Sequence, residues 1–226
     1  MNIAKEEQHT LYKEWQSKRK YENFVYDGII NYEKWENAKP KILFLLKETT
    51  NDFKKISEQS IDIRKGSGNH FWWNICYWKY LITQLYYDRP TDFIEQHQLP
   101  EVKENNYILD SIAYVNVKKN CDNNNQSDDA EIFSYAKSDK DLLIRQLDLI
   151  NPNIIICSNI TFEAYKHLYN DNLTSINDFC FKHNSKLIIK FRHPGYFQIK
   201  GGKETLYSHL KNHLTVPDNI LKKFNW

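Results

Sequence analysis

Short runs of consecutive apolar residues constrain the fold of this chain more than any other feature. They lie at about 41–47, 111–116, 153–158 and 186–192, and each passes directly into polar residues. Such runs, roughly four to eight residues long, are typical of strands that are buried on both faces of a parallel sheet. Helical patterns separate them along the chain. The alternation predicts an α/β fold, a three-layer α/β/α sandwich around a central, mainly parallel four-stranded sheet.

The length and the charge of the chain bound its number of domains and the partners that it can bind. The 226 residues suit one domain, 1–226, with an N-terminal helical segment at about 3–38. The net charge of +2, from 31 basic and 29 acidic residues, gives no general attraction to nucleic acid, so such binding would need a local patch. No run approaches the roughly 20 apolar residues that span a bilayer. We therefore expect a cytoplasmic monomer that does not bind a membrane.

The cysteines give no sign of a metal or redox site. Cys76, Cys121, Cys157 and Cys180 are widely spaced, and no CxxC pair is present. Cys76 and Cys157 lie in apolar surroundings, as buried free thiols commonly do. We expect no bound metal and no cofactor.

Three polar residues stand at the ends of the predicted strands. Glu48 follows the first run, Asn116 ends the second, and His193 follows the fourth. Pro194 favours an extended backbone at His193, which restricts where its imidazole can lie. Because parallel sheets bind ligands at the carboxyl ends of their strands, we expect the three side chains to share one crevice. Ordinary structural roles also remain open, namely a helix N-terminal carboxylate, an Asx-turn and a structural histidine.

The segment after His193 combines aromatic and basic residues. Tyr196 is followed by Lys200, two glycines and Lys203, which indicates a flexible loop. Such a loop is suited to contact stacked bases and phosphates. A solvated hairpin fits the same residues equally well.

Taken in order, the segments LLKETT, GNHFWWNI, YVNVKKN and FRHPGYF resemble the motifs of the uracil-DNA glycosylase superfamily, and are nearest to its mismatch-specific and single-strand-selective branches. The stretch LLIRQLDLINPNIIICSNITFEAY resembles the third strand of that family with its flanking helices, so the likeness covers about 41–197. The resemblance implies the fold of that family. It also implies hydrolysis of the N-glycosidic bond of a uracil-type or modified pyrimidine base flipped out of single- or double-stranded DNA, without a cofactor.

The same resemblance implies a role for each matching residue. Glu48 and His193 would be catalytic, the first by orienting the attacking water and the second by stabilising charge on the leaving base. Phe71 would stack on the flipped base, and Asn116 would read its edge. The residues that would contact DNA are Lys47, Lys118, Tyr196 and Lys203.

Two other interpretations remain open. The first motif has Leu46 and Thr49 where the family usually has glycine and proline, which is the observation in favour of a module that binds a nucleotide or DNA without hydrolysis. The string SGNH at 67–70 suggests a small-molecule α/β hydrolase. That class is disfavoured, since those hydrolases carry the four residues in separate blocks and the chain has no GxSxG elbow.

Overall fold

A computed structural model describes residues 3–49, 61–62, 69–103, 108–121, 128–196 and 198–226. Its helices are α1 (Ile3–Arg19), α2 (Tyr32–Asn37), α3 (Asn69–Tyr86), α4 (Pro100–Lys103), α5 (Asp129–Ser138), α6 (Lys140–Ile150), α7 (Asn159–Leu168) and α8 (Gly202–Thr215). Its strands are β1 (Gly28–Ile29), β2 (Ile42–Leu46), β3 (Ile61–Asp62), β4 (Ile108–Leu109), β5 (Ile112–Asn116), β6 (Ile154–Cys157), β7 (Thr174–Ser175), β8 (Cys180–His183) and β9 (Lys186–Lys190). Within the described ranges, 3-10 helices span Gln96–Gln98 and Ile220–Lys223.

The main sheet has the strand order β1-β5-β2-β6-β9-β8-β7. Strands β5, β2, β6 and β9 correspond to the predicted runs and are mutually parallel. The α/β class is therefore confirmed, but the predicted extent of the sheet is wrong, because seven strands form a mixed sheet. The additional strands β1, β8 and β7 pair antiparallel at the two edges. Strands β3 and β4 form a separate pair.

Both faces of the parallel strands are covered, which explains why their sequences are apolar at consecutive positions. Along β2, Phe44 and Leu46 contact the cluster that contains α3 and α8. Leu43 and Leu45 contact the opposite cluster, which contains α1, α5, α6 and α7. We call these two sides the α3 face and the α6 face of the sheet.

Two further expectations concern burial. The predicted free thiols of Cys76 and Cys157 are confirmed, and Cys121 and Cys180 are also free and buried. Burial raises the pKa of the Cys76 thiol, so this sulfur stays protonated and apolar in character. Across the described ranges, each helix is too short or too polar to cross a bilayer.

Candidate functional site

The ends of the parallel strands lie along one edge of the sheet. The strand register places Leu46 opposite Asn116, and Cys157 opposite Lys190. This edge carries Asn116 at the end of β5, Glu48 just after β2, and His193 just after β9. The residues chosen from the sequence therefore lie at the carboxyl ends of β5, β2 and β9, where parallel sheets bind ligands, and β6 separates β2 from β9.

His193 is held by a turn that α3 anchors. The backbone N–H of Tyr196 donates to the His193 carbonyl at 2.9 Å, and the buried Asn74 amide of α3 donates to the Pro194 carbonyl at 2.7 Å. The backbone N–H of Gly195 donates to Nδ1 of His193 at 3.1 Å. Because Nδ1 accepts this hydrogen bond, the proton of the neutral ring resides on Nε2, which is thus a donor.

A side chain at position 195 would disturb this turn. A Cβ atom placed on Gly195 would lie 3.1 Å from Nδ1 of His193, tighter than most Cβ contacts, and 3.4 Å from Cε1, an ordinary contact. Glycine therefore lets the backbone approach the imidazole closely enough to donate its hydrogen bond.

Burial and, to a smaller extent, the nearby Lys47 ammonium together lower the pKa of His193 to about 4. We expect the imidazole to stay neutral at pH 6, as a titration of its ring nitrogens by NMR would show, with the signals assigned by comparison with His193→Gln. A midpoint near the ordinary value of about 6.5 would contradict the expectation.

The same shift has a consequence for stability. In the unfolded chain the imidazole gains a proton as the pH falls through about 6.5, whereas the folded protein gains it only near 4. The shift therefore costs no stability above about pH 6.5 and lowers stability progressively between that pH and about 4. His193→Gln is expected to lose less stability than the wild type between pH 7 and pH 5.

Phe71 lies beside His193 on the α3 face. The ring centroids of Phe71 and His193 are 5.7 Å apart, and those of Phe71 and Tyr114 are 6.2 Å apart. The Phe71 ring also packs edge-on against Trp72. The structure thus brings the predicted stacking residue and the predicted histidine together, with an aromatic ring next to a neutral donor.

Asn116 is completely buried and contacts Asp27, a residue that the sequence did not single out. The Asn116 backbone N–H and its Nδ2 both donate to Oδ2 of Asp27, at 2.7 and 3.0 Å. Its Oδ1 has no hydrogen-bond partner within the described part of the chain. The Tyr114 hydroxyl lies near Asn116 and Thr49; burial raises its pKa, and these two polar groups partly oppose the rise.

Glu48 is held by Lys118. The Lys118 ammonium lies 3.1 Å from Oε2 of Glu48 and 2.8 Å from Oε1 of Glu131, and only 2% of the Lys118 side chain is exposed. The predicted contact of Lys118 with DNA stays a prediction, and the structure encloses its ammonium between two carboxylates. The Glu48 side chain itself is 15% exposed.

A cleft of about 730 Å³ opens beside His193 at the same edge of the sheet. Its walls include Lys47, Lys190, Arg192, His193 and Tyr196, together with the start of α7 at Ser158 and Asn159. The Arg192 guanidinium lies 4.6 Å from the ring centroid of Tyr196. The walls also include the acidic Asp129 and Asp178, so three basic side chains face two carboxylates. The small excess of positive charge and the N-terminal end of α7 favour a negatively charged ligand. Glu48, Phe71 and Asn116 are not part of these walls. His193 lines the cleft and also lies beside Phe71, with the two ring centroids 5.7 Å apart.

The other residues predicted to contact DNA differ in position. Lys47 lines the cleft and pairs with Asp129 at 2.5 Å. Tyr196 also lines it, and its hydroxyl donates to the Gln198 carbonyl at 2.9 Å. Lys203 lies away from the cleft walls, where its ammonium donates to Gln96 at 3.1 Å and lies 5.4 Å from the centroid of the Trp73 ring.

Sequence reasoning missed several residues that shape this region. They are Asp27, Asn74, Lys190 and Arg192. The two basic residues stand next to His193 at the end of an apolar run, so their place on the crevice was readable from the sequence. Asp27 and Asn74 carry no comparable signal, because each reaches the site through a contact distant in the chain.

No group of three histidine, cysteine or acidic side chains suited to a metal ion occurs among the residues that the structure describes. Comparison of the chain with protein-family models and with curated proteins gives no match.

Proposed function

We propose that the protein is a DNA glycosylase of the uracil-DNA glycosylase type, a hydrolase that releases a uracil-type or modified pyrimidine base flipped out of DNA. The observation that carries the proposal is the pairing of Phe71 with His193, an aromatic face 5.7 Å from a neutral imidazole whose Nε2 bears the proton. A flipped base needs such a stacking surface and a directed donor. The family resemblance of the sequence motifs supports the same assignment.

The proposed role of each residue follows from where charge develops during cleavage of the N-glycosidic bond. When an N-glycosidic bond breaks, positive charge grows on the sugar and negative charge grows on the leaving base. Nε2–H of His193 would donate to the base oxygen on which that negative charge accumulates. A neutral donor suits this role because it needs no proton from solvent before the reaction begins. Phe71 would hold the base in the plane that this hydrogen bond requires.

Glu48 would act on the sugar side of the bond. A carboxylate there stabilises the positive charge on the sugar and orients the attacking water. Lys118, anchored by Glu131, holds the Glu48 carboxylate in place. Lys118 is therefore assigned a positioning role instead of a contact with DNA.

The cleft beside His193 would receive the DNA backbone. Lys47, Lys190 and Arg192 on its walls would meet phosphates, with Tyr196 close to Arg192. Flipping a base costs a few kcal/mol, which these contacts and the stacking on Phe71 would offset. Because the net charge is only +2, the attraction for DNA would be concentrated here.

Glu48→Gln is expected to slow base release about 10²-fold or more, because the amide cannot activate water. The assay uses labelled single-stranded and duplex oligonucleotides that each carry uracil or one damaged or hypermodified pyrimidine, followed by alkaline cleavage at abasic sites. Glu14→Gln is the matched control, since Glu14 is a carboxylate on α1 that pairs with Lys18 and Arg145, outside this site, and the variant is expected to keep the wild-type rate. Equal rates for the Glu48 variant and the wild type would contradict the catalytic role.

Base recognition without hydrolysis is the second candidate. It is favoured by the environment of Glu48, whose carboxylate is occupied by Lys118 and whose side chain is mostly enclosed, which restricts the approach of water. Under this alternative the protein binds an oligonucleotide with a modified base and releases no base. The Glu48→Gln variant then binds the oligonucleotide as well as the wild type does. Release of a free base by the wild type would exclude it.

A further inference from the structure

Asp27 lies at the centre of a buried polar network next to β1. Its Oδ1 accepts hydrogen bonds from Lys119 Nζ at 2.5 Å and from Gln146 Nε2 at 2.9 Å. Its Oδ2 accepts both bonds from Asn116. Its backbone carbonyl accepts further bonds from Gln8, at 2.8 Å, and from the Tyr12 hydroxyl. The carboxylate is therefore fixed in position from several sides.

This network determines which way the Asn116 amide faces. An ionised carboxylate only accepts hydrogen bonds, so the amide must present its nitrogen to Asp27. The reversed amide would place Oδ1 against Oδ2, with two partly negative oxygens in contact. Asp27 thus forces Oδ1 to point away from itself, as an acceptor whose orientation cannot change.

Oδ1 of Asn116 has no hydrogen-bond partner among the described residues, although Asn116 is completely buried. Buried polar atoms are rarely left without a hydrogen bond, and each exception calls for an explanation. Asn116 and Tyr114 are two residues apart on β5 and so share the α3 face, where the Phe71 ring packs on Tyr114. A base stacked on Phe71 would lie on the same side of the sheet as Asn116.

We propose that Asp27 is a positioning residue that holds Asn116 as a hydrogen-bond acceptor, so that the site selects a base with an N–H donor on its pairing edge. The imino N–H of a uracil-type base has this chemistry. A base whose ring nitrogen is itself an acceptor would face Oδ1 with a lone pair and would be rejected. The inference rests on the proposed function, since it specifies what the same site recognises.

The first experiment tests the orientation without any DNA. In ¹⁵N-labelled protein, the Asn116 side-chain amide is expected to show one proton shifted downfield and protected from exchange by its bond to Asp27. The comparison is the double variant Asp27→Leu with Lys119→Met, in which both buried charges are removed together and no side-chain oxygen remains at position 27 to accept from the Asn116 amide. We expect the shift and the protection to be lost. Identical Asn116 signals in the two proteins would overturn the proposal.

The second experiment measures selectivity by fluorescence anisotropy. The probes are two single-stranded oligonucleotides with one deoxyuridine or one 2-pyrimidinone deoxynucleoside, which is smaller and lacks the N–H donor. We expect the wild type to prefer deoxyuridine about tenfold, and the double variant to fall within about twofold, because its Asn116 amide is free to turn. A purely structural role for Asp27 would weaken binding of both probes equally.

Gln146→Leu is the matched control, because it removes the two Gln146 hydrogen bonds to Asp27, to Oδ1 and to the backbone carbonyl, without touching Asn116. It is expected to keep the preference for deoxyuridine. If the wild type binds both probes equally, the Asp27 proposal is overturned while the proposed function stands. If the wild type binds neither probe better than an oligonucleotide with an abasic analogue, the recognition role falls together with the proposed function, whatever the NMR result.

Discussion

Replacing His193 with alanine is expected to slow base release about 10²–10³-fold, the usual effect of removing one hydrogen-bond donor from a developing negative charge. The imidazole is neutral, donates from Nε2, and is fixed by Gly195 and by the turn that Asn74 anchors. Alanine removes the donor but leaves this turn in place. The rate is measured under single-turnover conditions with the substrate that the wild type cleaves fastest.

The control for this experiment is His97→Ala, which changes an exposed histidine on the 3-10 helix that precedes α4. It is expected to leave the rate unchanged. Thermal unfolding of both variants separates a loss of chemistry from a loss of fold. A His193→Ala protein that is folded and releases base at the wild-type rate would remove His193 from the mechanism.

Lys119→Met is expected to have the largest effect on stability, a loss of about 3–5 kcal/mol in the free energy of unfolding. Lys119 and Asp27 are both completely buried and lie 2.5 Å apart. Burial lowers the pKa of Lys119, and Asp27 opposes that shift by favouring the charged ammonium. Without the ammonium, the carboxylate remains in the interior with no opposite charge.

Urea unfolding at pH 7 measures this effect. Adding Asp27→Asn to Lys119→Met is expected to recover much of the loss, because no unpaired charge then stays buried. Lys18→Met is the comparison, since Lys18 forms an exposed pair with Glu14 on α1 and is expected to change stability little. If Lys119→Met were as stable as the wild type, the buried ion pair would contribute nothing to the fold.

The sequence revealed the parallel strands because both of their faces are buried, which makes apolar residues consecutive. The edge strands gave no such signal. β1 has two residues, and β8, with the sequence CFKH, is buried only at its first and last residues. The segment read as a flexible loop around Gly201 and Gly202 contains a real turn, with positive φ at both glycines, but α8 begins directly after Gly201.

For the site, strand order was sufficient to place Glu48, Asn116 and His193 along one edge. Their partners were not predictable, because they come from distant parts of the chain. Asp27 and Asn116 are 89 positions apart. The ion pairs of Lys118 were not predictable for the same reason: the sequence alone does not show that Glu48 and Glu131 enclose it.

The most direct test of the central claim is mass spectrometry of the free bases released from a panel of DNA substrates. Wild-type protein is incubated with oligonucleotides that carry uracil or other modified pyrimidines, and the small-molecule fraction is analysed without alkaline treatment. We expect the wild type to release a free pyrimidine base from at least one substrate. The double variant Glu48→Gln with His193→Ala is expected to release none from the same substrate. Intact oligonucleotides and no free base across the whole panel would contradict the assignment of this site to glycosidic bond cleavage.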